Sequence, residues 1–327
     1  MRLPARDVLP AWGGTWHLLG GTHSAVGRAT SMLRFQSCPA CGNEQSSVIA
    51  QTDSSVRNRF LAFSERKYGG VMNSWIDDIQ LCVLRCANCG HHWYREQPSE
   101  EQLFSMYGAA VPFHSEGGAV QNLSSSIISQ MNGLFRACKA RSASQPTMLD
   151  YGSGQGRWAK AAVEAGFRVC AFDPVEERLR DDNGTFEAVS NLDEITGRSF
   201  HAVNLEQVLE HVTSPLDVLR GVRAFCLPTT ILRVSVPNIL RAPERGSLWT
   251  EWPFNGSRIH TMAPFEHLHG FTATSLDLVL TRAGFRPLRG VLLWRHFGFY
   301  AARKAIAGVM PALSQTLAIA RPAGPRG

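Results

Sequence analysis

Four cysteines fall into two pairs with one grammar. Cys38-Pro-Ala-Cys41-Gly42 and Cys86-Ala-Asn-Cys89-Gly90 each space two thiols by two residues and follow them with glycine. That spacing lets both sulfurs of a pair reach one ion, and glycine takes the positive φ of a tight knuckle. Two knuckles supply four thiolates, a closed tetrahedral set suited to structural Zn2+, with no position left open for catalysis. A redox pair or unrelated core thiols are the alternatives. Cys41 and Cys86 are separated by 44 residues, against the roughly 15–20 of a simple ribbon. The excess predicts an insertion in a hairpin loop, because closure entropy grows only slowly with loop length. Cys82, Cys138, Cys170 and Cys226 lack this grammar, and Cys170, inside an apolar run, reads as core.

A second constellation is the stretch LDYGSGQGRW, residues 149–158. Asp150 ends an apolar run, and Gly152-Ser153-Gly154-Gln155-Gly156 leads into a helical pattern. Such a loop turns tightly and lets a ligand touch the main chain. It is a near miss for the dinucleotide fingerprint, because Arg157 stands where the third glycine belongs. A diphosphate favours a helix N-terminus, but Asp150 puts a carboxylate there, which suits a ligand carrying positive charge. Asp173 ends the next apolar run, 23 positions on. An acidic residue at that place accepts hydrogen bonds from ribose hydroxyls.

The elements that must carry these groups alternate. Strands are predicted ending at Asp150 and over 167–173, 185–189, 202–205, 230–236 and 285–293, with a last one over 316–320. Helices are predicted over 158–165, from Pro174 to Arg180, over 215–225 after the cap candidate Ser214, and over 274–283. Alternation of this kind implies a doubly wound, mostly parallel sheet whose ligands bind at the carboxyl ends of the strands. Four sections follow: 1–31, a disordered lead-in or an extension upstream of a start at Met32; 32–115, the cysteine-pair module and a following helix; 116–300, the α/β domain; and 301–327, a last helix or strand with a basic tail.

The chain has 327 residues, 44% of them hydrophobic, enough for a sizeable core. A net charge of +6 permits an acidic partner, whether nucleic acid, a nucleotide-linked substrate or a membrane surface, or reflects an arginine-rich composition. No stretch reaches the ~20 apolar residues of a membrane span, so no membrane insertion is expected. Glycine and histidine interrupt the N-terminal apolar residues, so no signal peptide is read, and eight cysteines without one point to a cytoplasmic protein rather than a disulfide framework.

LDYGSGQGRWAKAAVEAGFRVCAFDP resembles the first two motifs of the class I S-adenosylmethionine (SAM)-dependent methyltransferases. LEQVLEHVTSPLDVLRGV resembles the segment after their fourth strand, and EHLHGFTATSLDLVLTRAGF their late histidine-containing motif. CPACG and CANCGHHWYREQPSEEQLFSMYG resemble the N-terminal zinc ribbon of a branch that includes sugar C-methyltransferases and enzymes of cell-surface polysaccharide and natural-product pathways. The resemblance implies a Rossmann-like α/β fold preceded by a zinc-ribbon module, with SAM and structural Zn2+ as cofactors. It places Asp150, Gly152 and Gly154 at the methionine end of SAM, with Ser153 and Gly156 of the same loop also binding the cofactor, Asp173 at the ribose, Asn191 and Leu192 at the adenine, and Glu206 and Gln207 under the sulfonium. Cys38, Cys41, Cys86 and Cys89 become the zinc ligands, and Ser99-x-x-Gln102 caps the helix after the ribbon.

Within the C-methyltransferase branch a Glu-His pair belongs to the active site, and the match falls on Glu266 and His267. The branch's preceding histidine is Phe265 here, which leaves O- and N-methylation open beside C-methylation. His267 reads equally as a structural anchor, and His211 as a structural feature of the fourth-strand motif. Tyr107 and His114 are candidates to close over the cofactor, and Trp249, Trp252 and Phe254 for an apolar wall. The implied activity is methyl transfer to a small molecule: a sugar, nucleotide-sugar or secondary metabolite. The alternatives are a nucleic-acid methyltransferase or a non-catalytic zinc-ribbon scaffold. Against nucleic acid, Leu205-Glu206-Gln207-Val208 stands where an amine-methylating [DN]-P-P-[FYW] motif belongs, and no Pro-Cys nucleophile is present.

Overall fold

The computed structural model describes residues 32–76, 80–109, 123–179, 184–239, 261–289 and 315–324. The lead-in (1–31), His114, Trp249, Trp252, Phe254 and most of the 301–327 tail lie outside them.

The N-terminal section contributes β1 (Leu33–Arg34), β2 (Ser46–Gln51), α1 (Ser54–Tyr68), β3 (Cys82–Cys86), β4 (His92–Tyr94), β5 (Glu96–Gln97) and α2 (Glu100–Ala109). The excess between the cysteine pairs is resolved: β2 and β3 form the antiparallel hairpin, and α1 and a 3-10 turn at Asn73–Ile76 are inserted between them. Asp53 starts α1 by accepting a hydrogen bond from the Val56 N–H, and Gly69 ends it in the left-handed region. At α2 the expected capping box forms: Gln102 N–H donates to Ser99 Oγ, and Ser99 N–H to Gln102 Oε1.

The second part runs α3 (Ser125–Lys139), β6 (Thr147–Tyr151), α4 (Arg157–Glu164), β7 (Arg168–Phe172), β8 (Glu187–Val189), β9 (Phe200–Glu206), α5 (Pro215–Val222), β10 (Cys226–Pro237), β11 (His269–Gly270), α6 (Ala273–Arg282), β12 (Phe285–Pro287) and β13 (Gln315–Pro322). Seven strands form one sheet in the order β12-β13-β10-β9-β6-β7-β8. β13 is antiparallel to both neighbours, and the other neighbouring pairs are parallel. The chain winds outward both ways from the β6–β9 junction, where a parallel sheet opens its ligand crevice. The helix expected over Pro174–Arg180 is instead a 3-10 turn at Glu176–Arg178, closed by Leu179, whose N–H donates to the Glu176 carbonyl.

β11 leaves the main sheet's partners and pairs with β4, giving a second sheet in the order β11-β4-β3-β2. Cys38, Cys86, Cys89 and Trp93 share one buried cluster with Leu205, Phe271 and Leu276. Polar contacts complete this seam. Thr272 Oγ1 donates to the Cys89 carbonyl at 2.9 Å, and Arg282 to the Pro39 and Ala40 carbonyls.

A polar row crosses the middle of the main sheet. Asp150, Asn204 and Arg233 are register partners on β6, β9 and β10. Asn204 Nδ2 donates to Asp150 Oδ1 (2.7 Å), and Arg233 donates to Asn204 Oδ1 (2.8 Å), Glu206 Oε2 (2.6 Å) and Gln130 Oε1 (2.9 Å). The Arg233 guanidinium stacks over Trp158, 4.0 Å from the ring centroid. It is 1% exposed, in a strand that reads as an apolar run. Removing one member of a buried ionic set strands the charges left behind. Arg233→Leu is expected to lower unfolding free energy by about 3–5 kcal/mol, measured by urea denaturation.

Candidate functional site

The glycine loop is held from below and behind. Gly152 adopts φ 74°, and a Cβ there would lie 2.6 Å from Val208 Cγ2, so the close approach of the 208 turn requires glycine. Gly152 and Ser153 N–H both donate to the Phe172 carbonyl, and Gly154 N–H donates to Asp173 Oδ2 at 2.8 Å. Ser153 Oγ donates to Asp150 Oδ2 at 2.7 Å, joining the loop to the polar row.

Around this loop lies a cavity of about 320 Å3 at the carboxyl ends of β6, β7 and β9. Gly152, Ser153, Gly154, Asp173, Glu206, Gln207 and Glu266 all line it. A second cavity of about 330 Å3 is lined by Asn191 and Leu192, with Phe104 from α2. Phe172 and Pro174 line both, so the two are neighbouring chambers along one edge of the sheet. Asn191 Oδ1 accepts from the Asp193 N–H, which commits that oxygen to capping a 3-10 turn.

Three of the expected residues stand elsewhere. Asp150 is 2% exposed and lies beneath the loop, because its oxygens are taken by Ser153 and Asn204. Gly156 opens α4 against Phe186, whose ring leaves no room for a Cβ, and does not line the cavity. His267 is buried behind His211: the rings meet edge to face with centroids 4.7 Å apart, and His211, not His267, lines the cavity.

One wall comes from the insertion between the cysteine pairs. Lys67 Nζ and Tyr68 Oη, at the end of α1, reach Glu266 Oε1 at 2.7 and 2.5 Å. Burial and the Glu266 charge hold the Tyr68 phenol well above its ordinary range. Tyr107 Oη lies 2.9 Å from His211 Nδ1, and Arg178 stacks over the Tyr107 ring. Glu266 is presented by a strained residue. Phe265 has φ 61°, an outlier for a bulky side chain. The rings of Phe60 and Trp75, both from the insertion, pack edge-on to it with centroids 5.1 and 5.5 Å away. Lys67, Tyr68 and Arg178 carried no signal in the sequence, whereas His211 was visible beside Glu210.

The two knuckles converge. Gly42 N–H donates to the Cys38 carbonyl and Gly90 N–H to the Cys86 carbonyl, closing each turn. Cys38 and Cys89 Sγ are 3.6 Å apart, Cys41 and Cys86 Sγ 3.5 Å, and all four sulfurs lie within 4.8 Å of one another. A tetrahedron with ~2.3 Å metal–sulfur bonds separates its sulfurs by ~3.8 Å, so the donor set fits such an ion.

A doubly wound sheet with a glycine-loop cavity at its switch point defines an α/β ligand-binding protein. A family model described as a methyltransferase domain matches residues 126–289, half of the chain, and the chain belongs to that family. No curated protein compared with the chain matches it. Among solved structures, the chain is similar to 1,6-didemethyltoxoflavin-N1-methyltransferase of Burkholderia thailandensis, with 15% identity over 76% of this chain and 98% of that one (TM-score 0.44). It is also similar to human N-acetylserotonin methyltransferase, with 16% identity over 69% of this chain and 57% of that one (TM-score 0.42). A SAM-dependent methyltransferase of Mesorhizobium loti gives 22% identity over 58% and 97% (TM-score 0.37).

Burial raises the Asp150 carboxyl from its ordinary 3.8 to about 6, although hydrogen bonds from Asn204 and Ser153 work in the other direction. The fold therefore favours the protonated acid. Its contribution to stability is full below the unfolded-state value and is lost as pH rises through about 6. The excess unfolding free energy of the wild type over Asp150→Asn is expected to fall by about 2–3 kcal/mol between roughly pH 4 and pH 7, read from urea unfolding of both proteins.

Proposed function

We propose that this chain transfers a methyl group from SAM to a small-molecule acceptor: a sugar, nucleotide-sugar or secondary metabolite. The observation that carries the reading is the pair of neighbouring chambers, one lined by the glycine loop, Asp173, Glu206 and Gln207, the other by Asn191 and Leu192. That lining fits a nucleoside with an amino-acid tail: an acidic group at the ribose place, a carboxylate for a cationic end, and a separate compartment for a base. Bound there, SAM supplies an electrophilic methyl group on its sulfonium. Gly154 N–H and the Asp173 carboxylate are already joined, so the ribose site is preorganised before any ligand arrives. Ser153 and Gln207 face the tail.

The acceptor side is the wall built by Lys67, Tyr68, Tyr107 and Glu266. Glu266 holds Lys67 and Tyr68 in place and gives the acceptor end a carboxylate able to take a proton. His267 acts through His211 rather than on the acceptor directly. Phenol rings beside a charged pair suit an acceptor with an apolar face and hydroxyl or amine groups. We further propose that the four thiolates hold one structural Zn2+, on the sulfur geometry described above, and so fix the base of the insertion that carries this wall.

Calorimetric titration of the full chain with SAM is expected to give micromolar binding and none with NAD, and Asp173→Ala to weaken SAM binding at least roughly tenfold. Absence of SAM binding by folded, zinc-loaded protein overturns the enzyme reading in favour of a scaffold. For the ribbon, Cys41→Ser is expected to lose its zinc by elemental analysis and to lose the ribbon fold with it; retention of one zinc per chain refutes the four-thiolate site.

A further inference from the structure

Helix α2 of the cysteine module reaches both chambers. Its buried residues Leu103 and Met106 pack with Phe60 of α1, with Val83 and Tyr94 of β3 and β4, and with Leu268 of the late segment. Polar contacts add to this hold. Thr213 Oγ1 donates to Glu100 Oε1 at 3.4 Å, and Tyr107 Oη lies 2.9 Å from His211 Nδ1. The helix is thus tied to both halves of the chain.

Phe104 and Tyr107 stand three positions apart, which makes their side chains neighbours on one helix face. Tyr107 lines the chamber of the glycine loop, and Phe104 lines the chamber of Asn191 and Leu192. One face of α2 therefore spans the whole crevice. The apolar residues of the second chamber differ in what they offer a ligand. Phe172 and Leu192 are 3% and 4% exposed and belong to the core behind the sheet edge. Phe104 is 39% exposed and presents ring surface to the chamber. Glu176, Ser190 and Asn191 add polar groups around the same space. An accessible aromatic face with hydrogen-bonding groups beside it suits a flat ligand with apolar faces and a polar edge, which is the chemistry of a purine base.

We propose that Phe104 supplies the stacking face for the adenine of SAM, so that the cysteine module, through α2, builds part of the cofactor site as well as the acceptor wall. The inference rests on the methyltransferase reading, which makes SAM the occupant. It reaches beyond the domain that reading draws on, because α2 precedes the residues 126–289 matched by the family model. A side chain outside that domain carries a share of the cofactor affinity. Stacking tolerates any base, so Phe104 sets affinity, and the polar groups at the edge set which base is held.

The test is calorimetric titration of the full chain with S-adenosylhomocysteine, which keeps the base, ribose and amino-acid tail of SAM. The proteins are the wild type, Phe104→Ala, Phe104→Leu and Phe104→Tyr, with ribbon zinc and thermal midpoint read on the same samples as evidence of folding. Phe104→Ala is expected to bind about tenfold more weakly, Phe104→Leu, which keeps bulk without a ring, at least about fivefold more weakly, and Phe104→Tyr, which keeps the ring, within about threefold of the wild type. Wild-type affinity in Phe104→Ala or Phe104→Leu makes the residue a packing group and overturns the inference. So does a Phe104→Tyr protein as weak as Phe104→Leu, a comparison that decides alone if Phe104→Ala does not fold. These outcomes leave the methyltransferase reading standing. Absence of binding by zinc-loaded wild type overturns that reading and the inference together.

Discussion

The structure depends on one buried cation. Arg233 sits in the middle of a parallel sheet, where water cannot solvate it, and its hydrogen bonds run to Asn204, Glu206 and Gln130. Through Asn204 it reaches Asp150, and through Asp150 the hydroxyl of Ser153 in the glycine loop. A charged group this deep is tolerated only when its partners are fixed, so three strands, α3 and the loop are held in one arrangement. The lining of the cavity at β6 and β9 inherits its geometry from this row.

A second constraint links the cysteine module to the cavity. The knuckles hold the base of a hairpin, the hairpin carries α1, and α1 delivers Lys67 and Tyr68 to Glu266. The same insertion supplies Phe60 and Trp75, which hold Phe265 in a left-handed conformation and so aim the following glutamate. The module thus forms part of the wall, and strain in the late segment is offset by aromatic contacts from the early one.

Much of this was legible in the sequence. The alternation of apolar runs located β6, β7, β9, β10 and α6, and the glycine loop located the cavity. The cysteine grammar located the knuckles and announced an insertion. What the insertion touches was not legible, because contact between Lys67 and Glu266 is a property of the closed fold and has no local pattern. Asp150 was read as facing a ligand, since a sequence shows a carboxylate at a strand end but not the hydrogen bonds that occupy it. Arg233 was hidden within an apolar run for the same reason: only the register of three strands reveals its partners. His267 and His211 exchange places in the wall because the turn after β9, packed on the late segment, sets which ring faces the cavity.

The pairing of β11 with β4 has a consequence for how the molecule comes into being. The N-terminal sheet lacks its last strand until His269 and Gly270 have been synthesised, and Thr272 and Arg282 secure the knuckles from later still. On the ribosome, where chains fold from the N-terminus onward, the cysteine module emerges well before the strand that finishes it. Such long-range closure slows folding, and it ties the cysteine module to the late segment: the module's sheet is not complete without β11.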